Sequence, residues 1–120
     1  MTAECVPDRG FQTWSLGGLP IVTPPAEIDA ANAEAFGAVL IDASRDQATI
    51  IVDMTYTEFC DSSGVTALAS AVRRARAAGG EVRLVVGSPA VRRVLAVTGM
   101  DSVFAMFDRL HEAIAAARPA

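Results

Sequence analysis

The sequence predicts an α/β domain: a mixed, mostly parallel β-sheet with covering helices, preceded by a β-hairpin. Three observations support this fold class. A Gly-Gly pair separates two short strand-like segments, strand-like and helix-like segments alternate after it, and 52% of the 120 residues are hydrophobic. That share of apolar residues is enough to bury one core in a chain of this length, which excludes a mainly disordered protein.

The hairpin comes first in the chain. Its predicted strands, Phe11–Leu16 and Leu19–Thr23, flank Gly17-Gly18, and a two-residue glycine turn is typical of a β-hairpin. Pro24-Pro25 then ends the second strand, because proline has no N–H group to donate to a neighbouring strand.

Helices and strands alternate in the rest of the chain. The first helix follows the capping residues Asp29–Asn32 and carries Phe36 and Leu40 at helical spacing. Ala48–Met54 is an apolar run of strand length, which predicts a strand covered on both faces. The later elements are a helix that ends at Gly79-Gly80, a strand over Glu81–Val86, a helix over Pro89–Thr98, an edge strand within Val103–Phe107 and a closing helix over Leu110–Ala117.

A single domain over residues 11–118 is expected, because no repeat or linker divides the chain and only residues 1–10 look loose. The net charge of −4 and the isoelectric point near 4.8 argue against nucleic acid as a partner. No segment approaches the roughly 20 apolar residues that span a bilayer, and residues 1–10 lack the apolar stretch of a signal peptide. We expect a cytoplasmic protein that makes no membrane contact and is monomeric when free.

The sequence offers few residues for enzyme chemistry. His111 is the only histidine, so neither a Ser-His-Asp triad nor a zinc site can be assembled without it. No glycine-rich phosphate loop is present. Cys5 and Cys60 form no motif and are expected to be free thiols in a reducing compartment. The sequence therefore predicts a non-enzymatic protein with no cofactor and no metal.

The segment Phe59–Val65 stands out between a predicted buried strand and a predicted helix, and it reads FCDSSGV. Asp61, Ser62 and Ser63 are all good helix caps, so a structural interpretation needs only that they satisfy free N–H groups there. The alternative is functional. A phosphate on a serine at this position would meet the same N–H groups and would add about two negative charges to a binding face without disturbing the fold.

At these residues the chain resembles the STAS domains of bacterial anti-sigma factor antagonists. The resemblance covers about residues 19–115, and four segments at the family's spacing carry it. The strongest is the Phe59–Val65 motif, which follows a strand ending at Asp53-Met54. The other three are Ala26–Asp29 before the first helix, Arg73–Leu84 across the second helix and the next strand, and Ser88–Leu95 with Thr98–Asp101 and Phe104.

The resemblance implies a β-sheet with helices packed on one face and a function in partner switching. Soluble members of the family bind an anti-sigma factor that is also a serine kinase, and this releases a sigma factor. The kinase phosphorylates a serine of the motif, and a serine phosphatase restores binding. By position the acceptor is Ser62, and Ser63 is the less favoured acceptor.

The resemblance also implies a partner-binding face around Ser62. Asp61 would cap the helix and orient the acceptor, and Gly64 would allow a close backbone approach at the helix start. Glu27 and Asp29 would lie on the adjoining loop of the same face.

Several alternatives stay open. Arg73 lies in an arginine-rich stretch that is typical of a solvated helix face, and the alternative is a contact with acidic residues of the kinase. Cys60 replaces the family's Ile or Met and leaves room for thiol-based regulation, while Pro25-Ala26 replaces its Gly and would stiffen that loop. The rival functions are a STAS adaptor subunit of a larger signalling or transport assembly without a phospho-switch, and a small nucleotide-binding protein that uses Asp61 and Ser62.

Overall fold

The computed structural model describes residues 6–8, 10–45 and 47–116. The strands are β1 (Val6–Asp8), β2 (Phe11–Leu16), β3 (Leu19–Thr23), β4 (Glu27–Ile28), β5 (Ile50–Met54), β6 (Phe59–Cys60), β7 (Val82–Val86) and β8 (Ala105–Phe107). The helices are α1 (Ala33–Ala43), α2 (Ser62–Ala77), α3 (Pro89–Val97) and α4 (Leu110–Ala115), and a short 3-10 helix covers Met100–Ser102.

Within the described ranges, six strands form one mixed sheet in the order β1-β2-β3-β5-β7-β8. The first three are antiparallel neighbours, and β3, β5, β7 and β8 run parallel to one another. The predicted α/β class, the opening hairpin and the mostly parallel sheet are confirmed. Gly17 and Gly18 at the hairpin turn have φ values of 62° and 81°, which glycine adopts without strain.

The sheet buries apolar side chains on both faces. One face packs against α1, α2 and α3, and the alternate β5 residues Ile50, Val52 and Met54 belong to that cluster. Ile51 belongs to a second cluster on the other face, together with Ala113 of α4. Every residue of β5 is buried, as the apolar run Ala48–Met54 predicts for a strand covered on both faces.

Parts of the fold differ from the sequence predictions. Residues 1–10 are predicted to be loose, but Val6–Asp8 pairs with β2 and extends the sheet at its hairpin edge. The helices packed on one face are α1, α2 and α3, whereas α4 covers the opposite face. The two-residue strands β4 and β6 have no counterpart in the prediction, because an element that short has no periodicity. Cys5 lies outside the described residues.

Candidate functional site

A two-stranded parallel sheet, β4 with β6, joins the loop before α1 to the loop before α2. Its register places Glu27 opposite Phe59 and Ile28 opposite Cys60. The N–H of Glu58 donates to the carbonyl of Ala26 at 2.7 Å, at one end of this pairing. The resemblance implies that Glu27 lies on the loop that adjoins the Ser62 motif, and the backbone pairing with Phe59 holds it beside that motif.

The turn that leads into α1 is fixed by side chains. The Asn32 side chain accepts from the N–H of Asp29 at 2.9 Å and donates to the carbonyl of Glu27 at 2.8 Å. The Asp29 carboxylate in turn accepts from the N–H of Ala31 at 2.9 Å. Asp29 and Asn32 thus order the turn, although Asn32 makes no side-chain capping bond to α1 itself.

A second set of contacts fixes the loop that follows β5. The buried Asp53 carboxylate accepts from the N–H and the hydroxyl of Thr55. The hydroxyl of buried Thr57 donates to the carbonyl of Pro25 at 3.0 Å. The loop before α1 and the loop after β5 are therefore held to each other before any partner binds. Because the two loops are already ordered, partner binding costs less conformational entropy.

Asp61 is the N-cap of α2, as the motif predicts. Its carboxylate accepts from the N–H of Ser63 at 2.9 Å, from the N–H of Gly64 at 3.3 Å and from the Ser63 hydroxyl. The hydrogen bond from the Ser63 side chain, followed by those from backbone N–H groups, lowers the pKa of Asp61 below its ordinary value. The carboxylate is therefore a fixed negative charge at the start of α2 at neutral pH.

The two serines of the motif have different surroundings. Ser63 is half-buried, and its hydroxyl is held by Asp61. Ser62 is exposed, and within the described residues its hydroxyl makes no hydrogen bond. The resemblance implies that Asp61 orients Ser62, but its carboxylate contacts Ser63, because an N-cap side chain reaches the second and third helical residues and not the first.

Gly64 lies where α2 comes closest to the β4–β6 pair. A Cβ atom at this position would lie 2.6 Å from the Sγ of Cys60 and 2.8 Å from the Cγ2 of Ile28. Both distances are shorter than van der Waals contact, so no side chain fits here without movement. Gly64 thus allows α2 to pack closely on Cys60 and Ile28, and its contact with a partner stays a prediction.

Gly64→Ala is expected to lower the free energy of unfolding, because overpacking costs about 1–3 kcal/mol. The higher helix propensity of alanine offsets at most ~1 kcal/mol of this loss. Gly37→Ala on α1 is the matched control. A Cβ atom there would meet nothing closer than Ala67 at 4.0 Å, so a gain of about 0.5–1 kcal/mol is expected. Urea denaturation measures both variants, and a loss of similar size in each would contradict the argument.

Cys60 is a buried residue directly beneath the start of α2. Burial, with a smaller contribution from the nearby Asp61 charge, raises the pKa of its thiol to about 11. A thiol in that state is protonated at neutral pH and is a poor nucleophile. The site therefore favours Cys60 as a small buried apolar residue over the alternative of thiol-based regulation.

Arg73 lies far along α2 from the motif. It is exposed, and eleven residues of helix place it about 16 Å along the axis from Ser62. The turn of the helix brings it back to nearly the same face as Ser62, since eleven residues make about three turns. Arg73 can therefore contact only a partner that extends along α2.

The other candidate groups stay apart from the site. His111 is exposed on α4. Within the described residues, no cluster of three or more His, Cys, Asp or Glu side chains could hold a metal ion. None of the helices in the described ranges is both long and apolar enough to cross a bilayer.

Comparison with known proteins identifies the family of this fold. The family model of the STAS domain matches residues 12–113, which is most of the chain. The chain belongs to the STAS domain family. No curated protein sequence matches it closely, so the solved structures carry the rest of the comparison.

Three solved structures show what this STAS domain is similar to. An anti-sigma factor antagonist from Mycobacterium paratuberculosis has 23% sequence identity and a TM-score of 0.71, over 94% of this chain and 90% of that one. The anti-sigma factor antagonist SpoIIAA in its unphosphorylated form has 29% identity and a TM-score of 0.75, over 87% and 92%. The phosphorylated form of SpoIIAA from Bacillus has 28% identity and a TM-score of 0.69, over 87% and 96%.

Proposed function

We propose that this STAS domain is an anti-sigma factor antagonist that binds a serine-kinase anti-sigma factor while the Ser62 hydroxyl is free. Binding releases the sigma factor that the kinase holds. The kinase then phosphorylates Ser62 and so ends the interaction, and a serine phosphatase restores it. The domain acts by binding in the cytoplasm, and it catalyses no reaction itself.

The observation that carries this proposal is the contrast between the two serines of the motif. A phosphoryl acceptor must present its hydroxyl to the nucleotide of the kinase, and Ser62 is exposed with no competing hydrogen bond within the described residues. Ser63 would first have to break its bond to Asp61. The geometry thus supports Ser62 as the acceptor over its neighbour.

The position of Ser62 also favours a switch that leaves the fold intact. Ser62 is the exposed first residue of α2, near the positive end of the helix dipole, and the N–H groups of Ser63 and Gly64 stay bound to Asp61. The change is therefore confined to the surface, where the phosphate adds about −1.5 to −2 charges. That SpoIIAA, a similar structure, has been solved in unphosphorylated and phosphorylated forms supports the same interpretation.

The proposal is tested by incubating the protein with ATP and each candidate anti-sigma serine kinase of the host, followed by intact-mass and peptide mass spectrometry. One phosphate is expected on the wild type and on Ser63→Ala, and none on Ser62→Ala. Ser63→Ala is the matched control because it removes the neighbouring hydroxyl from the same helix turn.

Three outcomes would contradict the proposal. A phosphate that persists in Ser62→Ala and disappears in Ser63→Ala would move the acceptor to Ser63. If no kinase transfers a phosphate to the protein, the better hypothesis is a STAS adaptor without a phospho-switch. A pull-down would then identify the assembly to which it belongs. A thermal shift with nucleotides alone would instead favour the nucleotide-binding alternative, since a ligand at 100 times its Kd adds roughly 2.7 kcal/mol.

A further inference from the structure

A cleft opens between β6 and α3, directly before the start of α2. It has a volume of about 550 Å³ and is lined by Phe59, Cys60, Pro89, Ala90, Arg93 and Val94. We call it the Phe59 cleft. Phe59 is 49% exposed, although its neighbour Cys60 is buried. A half-exposed aromatic ring beside a largely apolar cleft is typical of a surface that a partner covers.

The loops around the Phe59 cleft carry negative charge. Glu27 lies opposite Phe59 in the β4–β6 register, Glu58 directly precedes Phe59, and Asp61 follows Cys60. Arg45 is the only basic residue in the sequence between residues 11 and 72, and it pairs with Asp42 on the exposed end of α1. Among the residues that the structure describes, Arg93 on the α3 side is the one basic residue that lines the cleft.

We infer that the Phe59 cleft receives an apolar side chain of the partner, and that Lys or Arg residues of the partner flank that side chain and meet the carboxylates of Glu27, Glu58 and Asp61. The inference rests on the proposed function and names the chemistry of the kinase surface. Charge complementarity of this kind raises the association rate and selects the partner, while the buried apolar anchor supplies most of the affinity.

A second copy of this chain fits the cleft poorly. A symmetric dimer through this face would set Glu27, Glu58 and Asp61 of one copy against the same carboxylates of the other. Like charges placed together across an interface cost several kcal/mol, which argues for a partner of opposite charge. Ser62 follows the lining residue Cys60 by two positions in the chain, so the surface proposed to anchor the kinase is close to the residue that it modifies.

The apolar contact is tested by removing part of the cleft wall and by filling the cleft. Phe59→Ala removes the aromatic ring, and Ala90→Trp places an indole in the cleft from an exposed position on α3. Each is expected to weaken binding to the kinase that phosphorylates the wild type by about tenfold or more, measured by isothermal titration calorimetry. The matched controls are Val97→Ala, which removes an 81% exposed apolar side chain, and Ala77→Trp at the far end of α2.

The charge is tested separately. The double variant Glu27→Gln and Glu58→Gln is expected to bind severalfold more weakly than the wild type at low salt, and the difference is expected to shrink as salt screens the charges. Glu112→Gln on the exposed face of α4 is the control and is expected to bind like the wild type.

The outcomes separate this inference from the function on which it rests. Failure of the wild type to bind any host serine kinase overturns both. Tight wild-type binding that Phe59→Ala and Ala90→Trp leave unchanged overturns the anchor alone, provided that thermal unfolding shows both variants folded. Binding that is insensitive to salt and to the glutamine pair overturns the basic partner surface and keeps the apolar anchor.

Discussion

Phosphorylation of Ser62 is expected to weaken binding to the kinase by about 100-fold, which corresponds to roughly 2.7 kcal/mol. In the complex that transfers the phosphoryl group, the Ser62 hydroxyl must approach the terminal phosphate of the nucleotide. A phosphate on Ser62 would then stand against the phosphates of the nucleotide, and like charges in such close contact cost several kcal/mol. The purified phosphoprotein and the unmodified protein can be compared by calorimetry with the nucleotide-bound kinase.

Two variants examine the same effect without the kinase reaction. Ser62→Asp adds a single negative charge and a smaller group than phosphate, so a loss of about tenfold is expected. Ser102→Asp introduces the same change at an exposed serine in the 3-10 helix, and it is expected to bind like the wild type. If Ser62→Asp and the phosphoprotein both bind the kinase as tightly as the unmodified protein does, the proposed phospho-switch at Ser62 is wrong.

The hairpin and the central strands of the fold could be predicted because short stretches of sequence indicate them. Gly17-Gly18 indicates the hairpin turn directly, and the apolar run of β5 is long enough to identify a strand buried on both faces. The apolar spacing of α4 indicates a helix but not the side of the sheet on which it packs. The side on which α4 packs depends on which long-range contacts are most favourable, and the spacing of apolar residues in one sequence does not reveal those contacts.

The candidate site could be predicted in its residues but not in its contacts. The motif points to Asp61 as a cap, and Asp61 caps α2. Which serine the carboxylate holds depends on backbone geometry at the helix start, where the N-cap side chain reaches Ser63. The β4–β6 pairing that brings Glu27 to Phe59 joins residues about thirty positions apart through two-residue strands, so no sequence period indicates it.

Arg83→Ala is expected to lower the free energy of unfolding by about 3–5 kcal/mol. Arg83 is 1% exposed on β7, and among its partners are the Glu81 carboxylate at 2.9 Å and the carbonyl of Ala113 in α4, also at 2.9 Å. Truncation would leave the Ala113 carbonyl buried without this donor and would open a cavity of several methylene groups between sheet and helix. Chemical denaturation gives the loss in stability.

Two further variants separate charge from packing in this contact. Arg83→Met keeps most of the side-chain volume, so a smaller loss of about 1–3 kcal/mol is expected from the missing hydrogen bonds alone. Arg45→Ala removes an exposed ion pair with Asp42, whose side chains are 72% and 75% exposed, and should cost at most ~0.5 kcal/mol. Equal losses in Arg83→Ala and Arg45→Ala would contradict the argument.

Arg83 holds α4 over the core formed by Ile51 and its neighbours. Amide exchange in Arg83→Ala should therefore accelerate more in Leu110–Ala115 than in α2. The Ser62 face, at the start of α2, should stay intact in this variant.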